Sequence, residues 1–340
     1  MILFMLACTS KDPYKDVLQS LGEDVFVSNY AEVSAKTGIL DTAVQDYCLA
    51  PETNSLTEVQ AAWIDARVPW KKMEFLNIGP YKEPDRLGFQ IDFWPVRVET
   101  LEEVLYGDGT LSNETILNYP AATKGFPGIE WLIYTEQDRS RPRYCSYLKA
   151  MAYDLHVHAT LLHQSWVSDG GNYLSHLTEA GMDKDYISTK EALTEVVNRL
   201  GHTLANIRAL KLIKPLGEEQ GAVQAELLES RYSKNSLRDI RSNLEGVSET
   251  YYGSATGMGV DDLLSETDTQ INDDFALYLS QSLEAVDALD AQGSLEESML
   301  IDPSSIDELS TRLAFLQEHI QEDILLALSL WLTFNDADGD

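Results

Sequence analysis

Apolar residues recur along this 340-residue chain at intervals of three and four, with little of the strict alternation that marks a strand. Val17, Leu18, Leu21, Val25, Phe26 and Tyr30 begin the pattern, and that spacing gathers them on one face of an amphipathic helix. Similar runs fall at Leu56 to Phe75, Arg143 to Val167, Thr189 to Ile213, Ser236 to Tyr251, Ile271 to Leu289 and Ile306 to Leu332. Start signals support several of them. Ser188 has Glu191 three positions on, the pattern of a capping box, and Asp302-Pro303 puts proline where a first helical turn tolerates it.

Two stretches interrupt this periodicity. From Gly79 to about Leu111 the chain holds Pro80, Pro84, Gly88, Pro95, Gly107 and Gly109, which predicts a long, irregular but ordered excursion. The second, Ser168-Asp169-Gly170-Gly171-Asn172 through Ser188, is the best place for a domain junction. The pattern therefore predicts an all-α protein of two four-helix-type bundles packed side by side, one over residues 14–168 and one over 169–340. The length agrees, being sufficient for two cores of ordinary size.

Charge narrows the partners. The chain has 25 Lys+Arg against 56 Asp+Glu, a formal charge of −31, which opposes binding to nucleic acid or to anionic lipid headgroups. Three cysteines, Cys8, Cys48 and Cys145, are too few and too scattered for a disulfide framework or a Cys-rich zinc site. Cys8 stands apart, because the apolar Met1 to Ala7 followed by cysteine and a polar Thr9-Ser10-Lys11-Asp12 reads as the end of a lipoprotein signal. Residues 1–13 are then a signal remnant and tether, although the segment is short for a signal peptide and lacks a basic start. No later apolar run approaches the ~20 residues needed to cross a bilayer, so any membrane attachment is through lipid on Cys8.

Glu130 is the first candidate for chemistry. It lies between Ile129 and Trp131-Leu132-Ile133, so its helix has little polar surface, and a buried carboxylate requires a cation or hydrogen-bond donors. Either it serves a ligand or ion together with Glu74 and the C-terminal carboxylates, or it forms an internal ion pair, with Arg67 the partner. Trp63, Arg67, Trp70 and Glu74 fall close to one helical stripe, which reads as a bundle seam with Arg67 neutralised by Glu74 or Glu130, or as the lining of a site. Asp336 and Asp338 alternate with other residues at the C-terminus; the spacing can feed hard cations, yet the chain stops before the later ligands of a calcium loop.

The histidines and serines offer less. His156, His158 and His163 share one predicted helix without a carboxylate at the spacing of a zinc site, and His176, His202 and His319 are isolated. Ser233, Ser236, Asp239 and Asn243 lie together, but no Gly-x-Ser-x-Gly elbow or nearby histidine surrounds them. Ser233 is placed to cap a helix beginning near Lys234, with Asp239 and Asn243 one turn apart on it.

Several blocks resemble the imelysin-like family of bacterial cell-envelope proteins. Ala62-Trp63, Arg67, Trp70 and Glu74 through Gly79-Pro80 look like the family's Trp, Arg, Trp, Glu-x-x-x-x-Gly-Pro block. Asp92-Phe93-Trp94-Pro95, Arg231 to Leu244 and the terminal Thr333 to Asp340 match further landmarks in order. Gly125 to Tyr134 is similar to the Gly-Phe-His-x-Ile-Glu-Tyr-Leu-Leu-Phe helix except at one position: Pro127 stands where the family has histidine. Histidine and glutamate three residues apart share a helix face and can offer two ligands to a cation; proline can offer none.

The resemblance implies two helical bundles with the motif near their junction, a periplasmic or outer-membrane lipoprotein, and a role in iron acquisition; the family takes its name from a metallopeptidase. A peptidase of that kind needs about three protein ligands, an open position for water and a general base, and here the motif's histidine is lost. The reading is therefore a binding or accessory protein of metal or iron uptake without peptidase activity. Its rivals are a metallopeptidase-like enzyme with an atypical site and a structural envelope protein with a decayed one. Glu130, Glu74, Asp336 and Asp338 are the candidate ligands for iron or another divalent or trivalent cation, free or chelated. Trp63, Arg67, Trp70, Pro127 and Asp239 are candidates to line the site, and envelope proteins are candidate partners.

Overall fold

A computed structural model describes residues 12–334 apart from 52, 136–137, 218–220 and 265–268. Among the described residues every regular element is helical. The elements are α1 (Pro13–Ser20), α2 (Ser28–Leu49), α3 (Leu56–Met73), α4 (Leu87–Ile91), α5 (Val98–Tyr106), α6 (Gly125–Tyr134), α7 (Pro142–Trp166), α8 (Leu174–Thr178), α9 (Thr189–Asn206), α10 (Lys214–Leu216), α11 (Ser236–Tyr252), α12 (Thr269–Asp290), α13 (Leu295–Ile301), α14 (Pro303–Glu318) and α15 (Leu325–Ala327). Wider π-helical stretches at Leu21–Val27, Ile207–Ile213 and His319–Ile324 continue α1, α9 and α14 without a break.

The predicted start signals operate: Ser188 accepts from Glu191 N at 3.2 Å at the start of α9, and Pro303 opens α14. Asp12 adds a cap the sequence did not single out, accepting from the amides of Tyr14 and Lys15 ahead of Pro13 in α1. Such caps satisfy amides that have no partner inside the helix. The excursion at 79–111 is less irregular than its prolines and glycines indicate. It contains α4 and the two-turn α5, whose Leu101 and Leu105 are buried one turn apart; the helix breakers fall outside its span, so periodicity there prevails over composition.

α3 is the hub. It packs against α2 and α6 on one side and α11 on another, while α2 also meets α7, and α11 leads on to α12, α14 and α9. Gly246 sets how closely α11 approaches α3, since a Cβ at that position would collide with the carbonyl of Lys72. α1 lies against α8 and α9. α2 and α7 are also joined covalently: Cys48 and Cys145 form a disulfide across 97 residues of sequence. Their distance along the chain hid this pair, because only folding brings the two helix ends within the Cα–Cα separation of 5.5 Å that a disulfide can span.

Candidate functional site

The stripe on α3 faces the interior. Trp63, Arg67 and Trp70 are fully buried, and Trp63 Nε1 donates to the carbonyl of Phe126 at 3.0 Å, fastening α3 to α6. The Arg67 guanidinium lies 5.1 Å from the Trp63 ring and 5.3 Å from the Phe126 ring, close enough for cation–π attraction. Its charge is matched elsewhere than predicted. Arg67 Nη2 donates to Asp239 Oδ2 at 2.8 Å and Nε to both Asp239 oxygens, with Asp92 and Glu229 each at 3.5 Å. Neither Glu74 nor Glu130 supplies the ion pair that the sequence assigned to Arg67; Asp239, one turn into α11, reaches it because α11 crosses α3 so closely.

Lys71, one turn beyond Arg67, occupies the centre of a carboxylate trio. Its Nζ donates to Glu74 Oε1 at 2.9 Å, to Asp92 Oδ2 at 2.8 Å and to Glu229 Oε1. Lys211, from the π-helical stretch after α9, meets Glu74 Oε2 at 2.7 Å and Glu229 Oε2 at 2.9 Å. Asn243 then bridges the two lysines, accepting from Lys211 Nζ at 2.9 Å and donating to the Lys71 carbonyl at 2.7 Å. Ser230 and Asn235 donate to Asp239, and Trp70 Nε1 donates to Asp92 Oδ2 at 2.7 Å. The network thus sets Arg67, Lys71 and Lys211 against Glu74, Asp92, Glu229 and Asp239, leaving carboxylates in excess by one.

Burial disfavours the charge on each member, and neighbours of opposite sign overcome it. Glu74 is held below the usual carboxylate range because Lys211 and Lys71 outweigh its desolvation, and Asp92 is held down by Lys71 and Arg67 against the same penalty. Arg67 and Lys71 in turn hold their protons more tightly than free side chains, despite burial, because of the carboxylates around them.

Glu74, Asp92 and Glu229 have ligand atoms close enough to share a metal ion. Yet the position between them belongs to an ammonium group of the chain itself. A metal ion would have to displace Lys71, which is fully buried and bonded to all three. This donor set is built for a lysine, and it does not fit a resident metal.

Glu130 has a different setting. Its Oε1 accepts from Ser233 N at 2.8 Å and from Ser233 Oγ at 2.7 Å. Ser233 therefore does not cap the following helix: α11 starts at Ser236, with Asn235 at the cap position, and the serine turns back to the carboxylate of α6. Burial pushes the Glu130 carboxyl up to about 7; the Ser233 bonds and the more distant Arg67 charge offset only part of that. Pro127 and Glu130 do share a face. Both line a small space of about 10 Å³ with Arg67, Asp92 and Glu229, room for about one water molecule at most. Gly125 allows the sharp entry to this helix, with φ +70° and no room for a side chain against the Ile91 carbonyl.

A larger cavity of about 260 Å³ opens at the other side of Trp94, which lines both. Its walls include Glu74, Tyr81, Phe89, Trp94, His202 and Lys211. Glu74 and Glu130, paired as candidate ligands by the sequence, accordingly face different spaces. His202 joins the Glu74 side, its Nε2 3.0 Å from the carbonyl of Thr333. Among the other histidines, His156 Nδ1 lies 3.1 Å from the Ser34 carbonyl and His319 Nε2 2.9 Å from the Ile271 carbonyl. Cys8, Asp336 and Asp338 lie outside the described residues; the segment before the acidic tail is tied to α9, where Asn198 bonds Trp331 O and Thr333 N at 2.9 Å each.

Lys71, Lys211 and Glu229 went unrecognised in the sequence, and Asp92 was noted only as part of a motif. The one available clue was Lys71 itself, four residues after Arg67 on the buried stripe.

Comparison with known proteins gives the class of this helical chain. The imelysin family model matches residues 26–321, and the chain belongs to the imelysin family. It is 30% identical over 243 residues to the iron-regulated protein A of Synechococcus elongatus, an alignment spanning 69% of this chain and 64% of that protein, less than two thirds of its length. The fold is similar to that of an imelysin-like protein from Psychrobacter arcticum, with TM-score 0.78 and 18% identity over 94% of this chain and 97% of that one. It is also similar to an iron-regulated protein A precursor from Parabacteroides distasonis, with TM-score 0.73 and 17% identity over 92% and 97%. At those identities the structures speak for the fold alone.

Proposed function

We propose that the chain is a binding or accessory protein of iron acquisition at the bacterial cell envelope and that it works without peptidase chemistry. The observation that carries this reading is the replacement of an open metal site by internal cations: Pro127 removes the imidazole of the motif, and Lys71 sits where the trio of carboxylates would hold an ion. A metallopeptidase requires an open coordination position and a general base beside it. The similarity to iron-regulated protein A supports the iron association. An envelope location is supported by the lipoprotein-like sequence around Cys8 and by the Cys48–Cys145 disulfide, since such bonds persist mainly in oxidising compartments. Among the described residues no helix is long and apolar enough to cross a membrane.

Purified protein incubated with zinc and an unstructured peptide tests the peptidase clause. No cleavage is expected; cleavage that disappears in Glu130→Ala would overturn it. Metal titration of wild type beside Pro127→His tests the site itself: metal bound by the wild type supports the binding role, and binding gained only in the variant points to a decayed site. The structural-protein reading also has one observation in its favour, namely that the ion network alone already accounts for the burial of Arg67 and its carboxylates. Loss of iron-limited growth on deletion, restored by the wild-type chain, separates an uptake role from that alternative.

A further inference from the structure

The cavity beside Trp94 has features that the ion network does not use. Its volume, about 260 Å³, is just below the ~300–1,000 Å³ of typical small-molecule pockets. Aromatic rings form one wall and are held rigidly, Tyr81 stacking on Trp70 with centroids 5.7 Å apart and meeting Phe89 edge-on at 5.9 Å. Two residues of its lining, Trp94 and Asn77, each carry a buried polar atom, Nε1 and Oδ1, without a hydrogen-bond partner among the described residues. Orphaned donors and acceptors of this kind are destabilising when nothing meets them. A ligand that belongs here brings an acceptor for the indole N–H and a donor for the amide oxygen.

The charges decide which donor. Arg199 on the lining is paired with Glu195 at 2.6 Å, and Lys211 is shared between Glu74 and Glu229. Both cations are more than nine-tenths buried, whereas the Glu74 side chain keeps 26% of its surface accessible. The network behind it carries one carboxylate more than it has cations. An incoming positive charge meets that excess, the partly accessible Glu74 carboxylate and the faces of aromatic rings, which attract cations. An incoming anion would instead have to break an existing ion pair.

We propose that this cavity is a binding site for a small organic monocation: an ammonium group directed to Glu74 and Asn77, on an apolar or aromatic body, with one oxygen acceptor for Trp94 Nε1. The site does not depend on the iron reading and needs no metal.

Tyramine is the probe, and 4-hydroxyphenylacetate, which carries a carboxylate in place of its terminal aminomethyl group, is the control of opposite charge. Isothermal titration calorimetry on the full chain should show saturable tyramine binding at least about tenfold tighter than the acid, a difference of about 1.4 kcal/mol. Trp94→Phe keeps an aromatic ring but removes the N–H with the pyrrole half of the indole, and should weaken tyramine by about three- to tenfold. Glu74→Gln should weaken it further; because this change also touches the ion network, its fold is checked by circular dichroism. The proposal is overturned if the acid binds as tightly as the amine, if tyramine fails to saturate by about 10 mM, or if folded Trp94→Phe binds tyramine as well as wild type.

Discussion

Two sets of buried or half-buried carboxylates lie within one small region, and their acidities are shifted in opposite directions. Glu74 and Asp92 are surrounded by Lys71, Lys211 and Arg67 and stay ionised below the ordinary carboxylate range. Glu130, a short distance away on α6, has a serine for its partner and is pushed up to about 7. All three are desolvated; what differs is whether a cation has been folded in beside them. Burial alone moves a carboxyl toward its neutral form, and a full positive charge at hydrogen-bond distance reverses the direction. A hydroxyl and an amide do not suffice.

The strongest way to break this contrast is to remove the cation. Lys71→Met should leave Glu74, Asp92 and Glu229 facing one another and destabilise the protein by about 3–5 kcal/mol, read as a lower urea midpoint. Added Mn²⁺ should restore part of that loss, since the trio then has room for a hard cation; no restoration would mean that the three carboxylates do not form a ligand set even when vacated.

The pH dependence should separate the two sets with opposite signs. Glu130 binds its proton more tightly folded than unfolded, so its contribution to stability is greatest at acid pH and falls as pH rises from about 4.5 to about 7, by about 3 kcal/mol in all. Glu130→Gln should flatten that slope. Glu74 and Asp92 act conversely: their contribution is complete above their unfolded values of 4.5 and 3.8 and is lost as pH falls below them. Urea denaturation of wild type and variant between pH 2 and 8 measures both.

Gly246→Ala tests the packing that creates the ionised set. A methyl group against the Lys72 carbonyl should push α11 away from α3 and stretch the Arg67–Asp239 contact, at a cost of about 1–3 kcal/mol, with the Glu130 titration changed far less than the midpoint. Ser233→Ala is the smallest perturbation. It removes one of two donors to Glu130 Oε1, so it should cost about 1 kcal/mol and move the Glu130 titration, followed by carbon NMR, still higher. A downward move would show that Ser233 is not what holds the carboxylate charged.

Much of this arrangement was legible in the chain. The three- and four-residue spacing located nearly every long helix, and the residues around Trp63, Arg67 and Gly125 to Tyr134 led to the family. Glu130 was legible as a buried carboxylate because its neighbours are all apolar. Its partner was not, since Ser233 is 103 residues away and carries the local pattern of a helix cap. The excursion at 79–111 misled for a related reason: proline and glycine mark breaks, but they do not report what forms between them.

By itself the sequence determined the helical class, the cap at Ser188, the buried stripe of α3 and the loss of the motif histidine at Pro127, because each of these depends on residues within one or two turns of one another. Only the tertiary structure decided which charges meet. Arg67 reaches Asp239 across 172 residues and Lys211 reaches Glu74 across 137, and an ion pair has no periodicity that a chain can display in advance. Its energy depends on distance and on the exclusion of water, and both come into being only when α11 closes on α3.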